Sequence, residues 1–322
     1  MNYVLLTGGA GYIGSITCEI LIKEGYKIIV IDNLTEGNIS AISNQAIFFN
    51  GNFGDQIILK EIFTIYKVDF VFHFAALANV PDSVINPSEY YYNNFVNTLS
   101  LLDSMKEFNV NKIIVSSTAA VFGEPTFLPI DETHSMKPIN PYGFSKLMME
   151  QVIKDYSKAY GLKYIVFRYF CAAGATENNG ESRKCETHLI PVILDQVIGK
   201  RNGIIVYGQN FNTIDGTGVR DYIHVVDIAN AHILGMKNFN KIYNNDFNLG
   251  TNNGYSVLQI IKKTSEILNK EVNFSFSSMR LGDPATLVAS NNKAQTVLGW
   301  IPKFDIDDII LSSYKWRVSP KY

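Results

Sequence analysis

The sequence has few of the features that mark several broad classes of protein. Its 322 residues include 3 cysteines, Cys18, Cys171 and Cys185, which cannot all pair and which lack metal-ligand spacing. We therefore expect reduced thiols, as in a cytoplasmic protein, and no metal site. With 23 glycines, 10 prolines and 47% apolar residues, the composition excludes collagen-like repeats and extensive disorder.

An excess of charge of one sign is also missing. The 28 Lys and Arg residues face 30 Asp and Glu residues, so no basic surplus exists to neutralise a nucleic-acid backbone. The first six residues lack the basic stretch of a signal peptide. The apolar stretch Val68–Val80 contains Asp69 and His73 and is too short to cross a bilayer. We expect a cytoplasmic protein with neither a nucleic-acid nor a membrane partner.

What is present in the first half is an alternation of short apolar runs and helix-length amphipathic segments. Continuous apolar runs are typical of parallel strands that are buried on both faces. Strands are predicted at Tyr3–Thr7, Lys27–Ile31, Ala46–Phe49, Phe70–Phe74, Lys112–Ser116 and Tyr164–Arg168. Helices are predicted at Tyr12–Glu24, Ile57–Tyr66, Ser88–Phe108 and Pro141–Tyr160. This order predicts an α/β fold with a doubly wound parallel sheet of the Rossmann type.

The regularity fades after about Phe170. Loops are predicted at Gly174–Lys184 and Gln209–Gly218, and helices at Leu189–Gly199, Val226–Lys237, Val257–Asn269 and Asp307–Val318. We expect residues 1–170 to form the doubly wound domain. Residues 171–322 are expected to form mainly a smaller C-terminal substrate-binding lobe, with some segments crossing back to the first domain.

A glycine-rich turn links the first predicted strand to the first predicted helix. Gly9, Gly11 and Gly14 fit G-x-G-x-x-G, while Gly8, Gly11 and Gly14 fit G-x-x-G-x-x-G. Glycines at these positions let the backbone approach a pyrophosphate at the helix N-terminus. Asp32 ends the second strand, where an acid accepts hydrogen bonds from a ribose diol. The combination predicts a site for NAD rather than NADP; the alternative is a glycine turn without a ligand.

Tyr142 and Lys146 lie four residues apart at the start of a predicted helix, so their side chains share one face. A phenol with a pKa of about 10 is a poor base, and we expect the ammonium and an oxidised nicotinamide to lower that pKa. Tyr142 would then accept a proton from a sugar hydroxyl. Ser116, Ser117 and Thr118 end the preceding strand, and Thr118 would hydrogen-bond the same hydroxyl. Taken alone, the Tyr/Lys pair also fits an exposed helix face.

Together these residues resemble the extended short-chain dehydrogenase/reductase superfamily and, within it, the UDP-glucose 4-epimerase family. The similarity runs nearly end to end and includes His73–Ala76, Tyr91–Asn94, Arg168–Phe170, Glu186–Pro191 and Gly216–Val225. The last stretch is highly specific, whereas the glycine motif and the Tyr/Lys pair belong to the whole superfamily. The resemblance also implies a homodimer formed through long helices of the cofactor domain.

The resemblance implies a mechanism in which Tyr142, assisted by Thr118, deprotonates the sugar 4-hydroxyl. Hydride passes from C4 to tightly bound NAD and returns to the other face of a 4-keto intermediate. Lys146 is implied to bind the nicotinamide ribose and to tune Tyr142. Because the cofactor ends each cycle as it began, it has no need to leave.

The resemblance also assigns ligand contacts by position. For the cofactor these are Gly8, Gly11, Tyr12, Ile13, Gly14, Asp32, Asn33, Asn52, Phe53, Phe74, Ala75, Ala76, Asn93, Tyr142, Lys146 and Tyr169. For the UDP-sugar they are Thr118, Tyr142, Cys171, His188, Leu189, Tyr207, Arg220, Arg280, Asp283 and Leu287. Arg220 and Arg280 correspond to diphosphate ligands, a role that suits guanidinium groups, although surface salt bridges are the alternative.

Three positions depart from the family pattern, and a fourth bears on the range of substrates. Cys171 replaces an asparagine at the substrate diphosphate, Asn52 replaces an aspartate near the adenine, and Phe122 replaces a tyrosine. Leu287 stands where a tyrosine in some members excludes N-acetylated sugars. A leucine there would leave room for UDP-N-acetylhexosamines, or would simply pack among apolar neighbours.

Several activities remain open from the sequence. A 4,6-dehydratase is disfavoured, because it would need an acidic pair after Thr118, where Ala119 and Ala120 stand. UDP-N-acetylglucosamine 4-epimerase, with single or dual specificity, and UDP-pentose 4-epimerase both fit. A catalytically silent NAD-binding sensor would not need Tyr142, Lys146 and Thr118 together, so the presence of all three argues against this interpretation. The sequence does not choose between galactose metabolism and surface-glycan synthesis.

Overall fold

A computed structural model describes residues 2–280 and 282–322 of the chain. The strands β1 to β14 are Tyr3–Thr7, Lys27–Asp32, Ile47–Asn50, Val68–His73, Lys112–Thr118, Lys163–Tyr169, Cys171–Ala173, Ile204–Tyr207, Val219–Arg220, Tyr222–His224, Asn245–Leu249, Tyr255–Ser256, Phe274–Ser277 and Thr286–Leu287. The helices α1 to α11 are Tyr12–Lys23, Gln56–Ile65, Val80–Ile85, Pro87–Tyr91, Asn97–Glu107, Pro141–Tyr160, Leu189–Val197, Val225–Lys237, Phe239–Ile242, Val257–Leu268 and Ile306–Val318. A π-helical segment, Tyr92–Val96, joins α4 to α5, so the predicted helix Ser88–Phe108 is present in three consecutive pieces.

The central sheet has seven strands in the order β11-β6-β5-β4-β1-β2-β3. Every neighbouring pair is parallel. This confirms the doubly wound Rossmann-type sheet. Because the strands are parallel, the glycine turn after β1, Thr118 at the end of β5 and Tyr169 at the end of β6 all lie at the carboxyl edge.

Alternate residues of each strand face opposite layers of helices. Leu5 packs in a buried cluster with residues of α2, α5 and α6, whereas its neighbour Leu6 packs in a second cluster with residues of α1 and α8. Both leucines are fully buried. Burial on both faces explains why the strands read as continuous apolar runs.

The second half of the chain builds a smaller core of its own and also returns to the sheet. Buried Ile193 of α7, Ile260 of α10 and Ile310 of α11 form part of the smaller core. Strand β11 pairs with β6, and α8 packs against α1 through residues such as Val225 and Ala229. Chain segments beyond residue 171 therefore contribute to both regions. Among the described helices, none combines the length and apolar character needed to span a membrane.

Candidate active site

The glycine turn is tightly packed against the loop that follows β4. Gly8 has a positive φ of 71°, and a Cβ there would come within 2.6 Å of the Ala75 backbone. A Cβ on Gly14 would overlap the Gly8 carbonyl oxygen. Gly11 is the N-cap residue of helix α1, which therefore starts without a side-chain cap. These features fit a dinucleotide, because the turn leaves space beside the positive end of a helix.

Asp32 ends β2 beside this turn. Its carboxylate accepts hydrogen bonds from the backbone N–H groups of Ala10, at 3.0 Å, and Leu34, at 2.9 Å. Burial raises the pKa of Asp32, and these two donors act in the opposite direction. An ionised carboxylate has lone pairs beyond the two already engaged, so the group fits a ribose diol as acceptor.

An open cleft of about 2000 Å³, a volume that includes solvent at its mouth, runs along the carboxyl edge of the sheet. Of the residues predicted to contact ligands, those that line it are Gly8, Gly11, Tyr12, Ile13, Gly14, Phe74, Ala76, Thr118, Tyr142, Lys146, Tyr169, Cys171 and His188. Its size and its glycine wall suit an extended dinucleotide.

Six predicted cofactor residues lie outside that lining: Asp32, Asn33, Asn52, Phe53, Ala75 and Asn93. Asn33 is exposed, and Asn52 accepts a hydrogen bond from the Gly54 N–H inside its own turn. Phe53 is buried against the His73 ring. Asn93 donates to Asn94. The structure therefore does not bring these six residues into the wall of the cleft, and several of them have local partners instead.

A second pocket of about 620 Å³ adjoins the cleft. The predicted residues that line it are Thr118, Tyr142, Cys171, Arg220, Asp283 and Leu287. Thr118, Tyr142 and Cys171 line both spaces. The Tyr142 and Thr118 side chains therefore lie where a ligand in the cleft and a ligand in the pocket would meet.

Helix α6 positions the Tyr/Lys pair through its first turns. Asn140 caps the helix by accepting a hydrogen bond from the Gly143 N–H at 2.9 Å, and Pro141 occupies the first helical position. Tyr142 and Lys146 follow on one buried face. The Lys146 ammonium donates to the Ser116 carbonyl oxygen at 2.8 Å, which ties the helix to β5.

The electrostatics of the pair differ from the prediction. Burial raises the pKa of the Tyr142 phenol, while Thr118 and the charge of Arg183 offset part of this effect. Burial also lowers the pKa of Lys146 to about 7, although Glu150 opposes this shift. The expected lowering of the Tyr142 pKa is therefore not produced by the protein's own groups, because the loss of hydration outweighs them.

Among the residues that the structure describes, the pocket wall contains one cation, Arg220, and one thiol, Cys171. The Arg220 guanidinium lies 4.0 Å from the Asp283 carboxylate and donates to the Val219 carbonyl at 2.9 Å. Burial raises the pKa of the Cys171 thiol to about 11, although Arg220 acts in the opposite direction. Cys171 is thus a neutral thiol on the wall of the pocket.

Three predicted substrate residues line neither space: Leu189, Tyr207 and Arg280. The Arg280 guanidinium lies 3.8 Å from the Tyr207 ring centroid, and Leu189 packs against the smaller core. His188 lines the cleft and not the Arg220 pocket.

The His188 imidazole lies 3.0 Å from Glu181 and 3.1 Å from Glu186. Although burial disfavours both charges, this ion pair raises the pKa of His188 to about 9 and lowers that of Glu181 to about 2. The three side chains have the spacing of a metal site. Arg183 also pairs with Glu181 at 2.9 Å, so the carboxylates already have cationic partners.

Several residues that line the cleft are not marked by any motif in the sequence. Asn79, Asp82 and Tyr90 lie in one group, in which the Tyr90 hydroxyl donates to the Asn79 carbonyl at 2.7 Å. Glu181 and Arg183 come from the loop that precedes α7. No motif spacing links these residues to the glycine turn, so only the folded chain brings them together.

Fold and site define a Rossmann-type protein in which a glycine-lined cleft adjoins a second pocket that contains a guanidinium. Residues 4–250 match the model of the NAD dependent epimerase/dehydratase family. The chain belongs to this family.

Individual relatives give a finer comparison. The chain is 43% identical over 320 residues to a UDP-glucose 4-epimerase of Lacticaseibacillus casei, covering 98% of this chain and 96% of that protein. The crystal structure of UDP-glucose 4-epimerase from Bifidobacterium longum in complex with NAD+ and UDP is 37% identical, with a TM-score of 0.95 and 99% of each chain covered. The UDP-Glc/GlcNAc 4-epimerase of Campylobacter jejuni is also 37% identical, with a TM-score of 0.86 and 99% of each chain covered.

Proposed function

We propose that this protein is an NAD-dependent UDP-glucose 4-epimerase that interconverts UDP-galactose and UDP-glucose through a 4-keto intermediate. The observation that carries this proposal is the position of Thr118 and Tyr142 on the wall common to the glycine-lined cleft and the Arg220 pocket. A nicotinamide in the cleft and a sugar in the pocket would meet at these two side chains. The full-length similarity to UDP-glucose 4-epimerases supports the same activity.

The chain's own residues supply the proton transfer and the orientation. Tyr142 takes the proton of the sugar 4-hydroxyl and later gives it back, while Thr118 orients that hydroxyl. Lys146, held by the Ser116 carbonyl, presents an ammonium to the nicotinamide ribose and stabilises the phenolate. Bound NAD would supply the acceptor for the hydrogen of C4 and return it to the opposite face. The net reaction is an isomerisation, which consumes no cofactor.

Arg220 is proposed to bind the UDP diphosphate, because it is the guanidinium that lines the pocket. Ala119 and Ala120 also line this pocket, and neither side chain can transfer a proton. Elimination of water, as in a 4,6-dehydratase, would need an acid at this place. The pocket therefore favours epimerisation.

Leu287 limits the size of the sugar that the pocket can accept. Leu287 is half-buried, lines the pocket and, like Phe170, packs against the buried cluster that includes Phe122. A leucine at this wall leaves more room than a tyrosine would. Turnover of UDP-N-acetylhexosamines is therefore a second proposed activity, and the similarity to the dual-specificity Campylobacter jejuni protein supports it.

A homodimer is proposed on the basis of an apolar surface on neighbouring helices. Tyr92 and Val96, between α4 and α5, are exposed, as are Phe144 and Met148 one turn apart on α6. Two copies would cover these side chains if the helices packed against each other. A cytoplasmic location is supported by the three unpaired thiols.

The experiment adds UDP-galactose to purified protein without NAD and follows UDP-glucose, with UDP-N-acetylgalactosamine and a UDP-pentose in parallel tubes. Turnover of UDP-galactose is expected. Turnover of the N-acetylated sugar as well would assign dual specificity, whereas turnover of that sugar alone or of the pentose alone would replace the proposed substrate. No turnover of any sugar after NAD is supplied would favour a silent NAD-binding protein.

A further inference from the structure

A buried carboxylate lies directly behind the Tyr142–Lys146 pair. Glu150 follows Lys146 by one turn of α6, is fully buried and lines neither the cleft nor the pocket. It therefore touches neither ligand space, and any effect on the reaction must pass through its neighbours.

The side chains of Glu150, Arg168 and Asp246 form a buried cluster whose charges do not cancel. Glu150 accepts hydrogen bonds from the Arg168 guanidinium at 3.0 and 2.7 Å, and the same guanidinium donates to Asp246 at 2.8 Å. Two carboxylates thus share one guanidinium, which leaves one net negative charge. Lys146 supplies a positive charge on the side of the site, and Lys154 approaches Glu150 to 3.9 Å from the other side.

Glu150 also holds the end of strand β5. The Ser117 hydroxyl donates to the Glu150 carboxylate at 2.6 Å. The residue before it, Ser116, accepts the hydrogen bond of Lys146, and the residue after it, Thr118, lines both ligand spaces. One side chain therefore connects the helix that carries Lys146 to the strand end that carries Thr118.

The other groups around Lys146 do not replace this charge. From β4, His73 is neutral, because burial and the nearby Lys146 lower its pKa to about 3. From β5, Ser116 offers a carbonyl, and from β6, Arg168 is a cation and Tyr169 a buried neutral phenol. Burial lowers the pKa of Lys146 to about 7, and Glu150 is the carboxylate among the described residues that raises it.

We propose that Glu150 is a positioning residue: its buried carboxylate, one turn after Lys146 on α6, supplies the negative charge that stabilises the Lys146 ammonium, and its hydrogen bond with Ser117 keeps the Ser116–Thr118 strand end aligned with that helix. Only the expected effect of Glu150 on the rate of turnover rests on the proposed function. The state of Lys146 itself is a property of the protein alone.

The catalytic test is the pH profile of kcat with UDP-galactose for Glu150→Gln. The amide preserves the shape of the side chain but removes its charge, so Lys146 loses its proton at a lower pH. We expect the alkaline decline in activity to move to lower pH by about one unit. Lys154→Met is the matched control, because it removes a charge next to Glu150 without facing Lys146, and its profile should equal that of the wild type. Glu150→Asp keeps the charge and should restore the position of the decline.

A second readout needs no turnover. In protein labelled at lysine 13Cε, the Lys146 resonance is assigned by its loss in Lys146→Met, and its titration midpoint is measured. The midpoint should lie near pH 7 in the wild type and about one unit lower in Glu150→Gln. If the midpoint shifts as expected but UDP-galactose is not converted, the proposed function fails and the inference on Glu150 stands.

If Glu150→Gln does not fold, the test uses the double variant Glu150→Gln with Arg168→Gln. This variant removes both members of the buried ion pair, so neither charge is left buried without its partner. The Lys146 midpoint of the double variant should also fall, but by less than in Glu150→Gln, because one positive charge is removed together with the negative one. An unchanged midpoint together with an unchanged alkaline decline, in any folded variant that lacks the Glu150 charge, would overturn the proposal.

Discussion

The Lys146 ammonium donates a hydrogen bond to the backbone carbonyl of Ser116 at 2.8 Å, on the wall of the cleft. This bond fixes the first turns of α6 against the end of β5. Tyr142, from the same turns, and Thr118, from the same strand end, then face both the cleft and the pocket. The reactive groups are thus positioned by one helix and one strand rather than by mobile loops.

Replacing Tyr142 by phenylalanine removes the proposed base and leaves the ring that packs against Tyr90. We expect kcat to fall by about 10²- to 10⁴-fold, because proton transfer to a positioned side chain contributes that much. NAD binding, measured by the cofactor content of the purified protein, should persist. Tyr156→Phe, on the same helix but outside both ligand spaces, removes a hydroxyl that donates to Asp103; it is the control and should keep full activity. Equal rates for both variants would contradict the role of Tyr142.

Replacing Cys171 by asparagine introduces an amide donor into the pocket wall. The buried thiol, whose pKa is raised to about 11, is a weak neutral donor. One added neutral hydrogen bond to the diphosphate should lower KM for UDP-galactose by roughly 2- to 10-fold, with little change in kcat. Steady-state kinetics of the two proteins measure this effect. An unchanged or higher KM would show that Cys171 does not face the diphosphate.

Replacing Leu287 by tyrosine fills the space beside the proposed sugar site. Turnover of UDP-N-acetylgalactosamine should fall by about tenfold or more relative to UDP-galactose, because the larger ring occupies the volume of the acetyl group. Leu287→Met keeps the volume nearly constant and serves as the control. The ratio of the two kcat/KM values is the measurement. A ratio that does not change in Leu287→Tyr would place the sugar elsewhere.

The Glu181–His188 ion pair should make stability depend on pH. His188 has its pKa raised to about 9, so its contribution is complete below its unfolded pKa of about 6.5 and is lost as the pH rises through 9. Glu181 has its pKa lowered to about 2, so its contribution is present above about 4.5 and is lost as the pH falls through 2. His188→Gln should therefore lower Tm more at pH 6 than at pH 10.

The control for this pair is His224→Gln. Burial lowers the pKa of His224 to about 4, so this histidine is neutral at both pH values. Its replacement should lower Tm by similar amounts at pH 6 and pH 10. If His188→Gln behaves in the same way, the ion pair does not stabilise the folded chain.

The sheet was predictable because its signal is local. Strand β1 and helix α6 begin and end at the predicted residues, since apolar runs, Asn140 with Pro141, and the left-handed Gly161 mark their ends. Strands β7, β9, β10, β12 and β14 have only two or three residues, too few for a periodic pattern. They form through pairing with distant segments, which no local pattern encodes.

The candidate site also combines features that local sequence encodes with features that arise only on folding. The glycine turn and the Tyr142–Lys146 pair have fixed spacings, so the sequence could place them together. The raised pKa of Tyr142 could not be anticipated, because it depends on how fully the folded protein excludes water from the phenol. The network of Glu150, Arg168 and Ser117 joins α6, β6 and β5 through side chains 18 and 33 residues apart, and its partners become visible only in the folded chain.

The most direct test of the central claim uses UDP-galactose that carries deuterium at C4. The purified protein converts it in ordinary water, and the UDP-glucose formed is analysed by mass spectrometry and NMR. If the hydrogen of C4 is held within the closed site and returned to the same carbon, the product keeps its deuterium at C4. Loss of the label to water, or its appearance at another carbon, would contradict the mechanism proposed for Tyr142, Thr118 and Lys146.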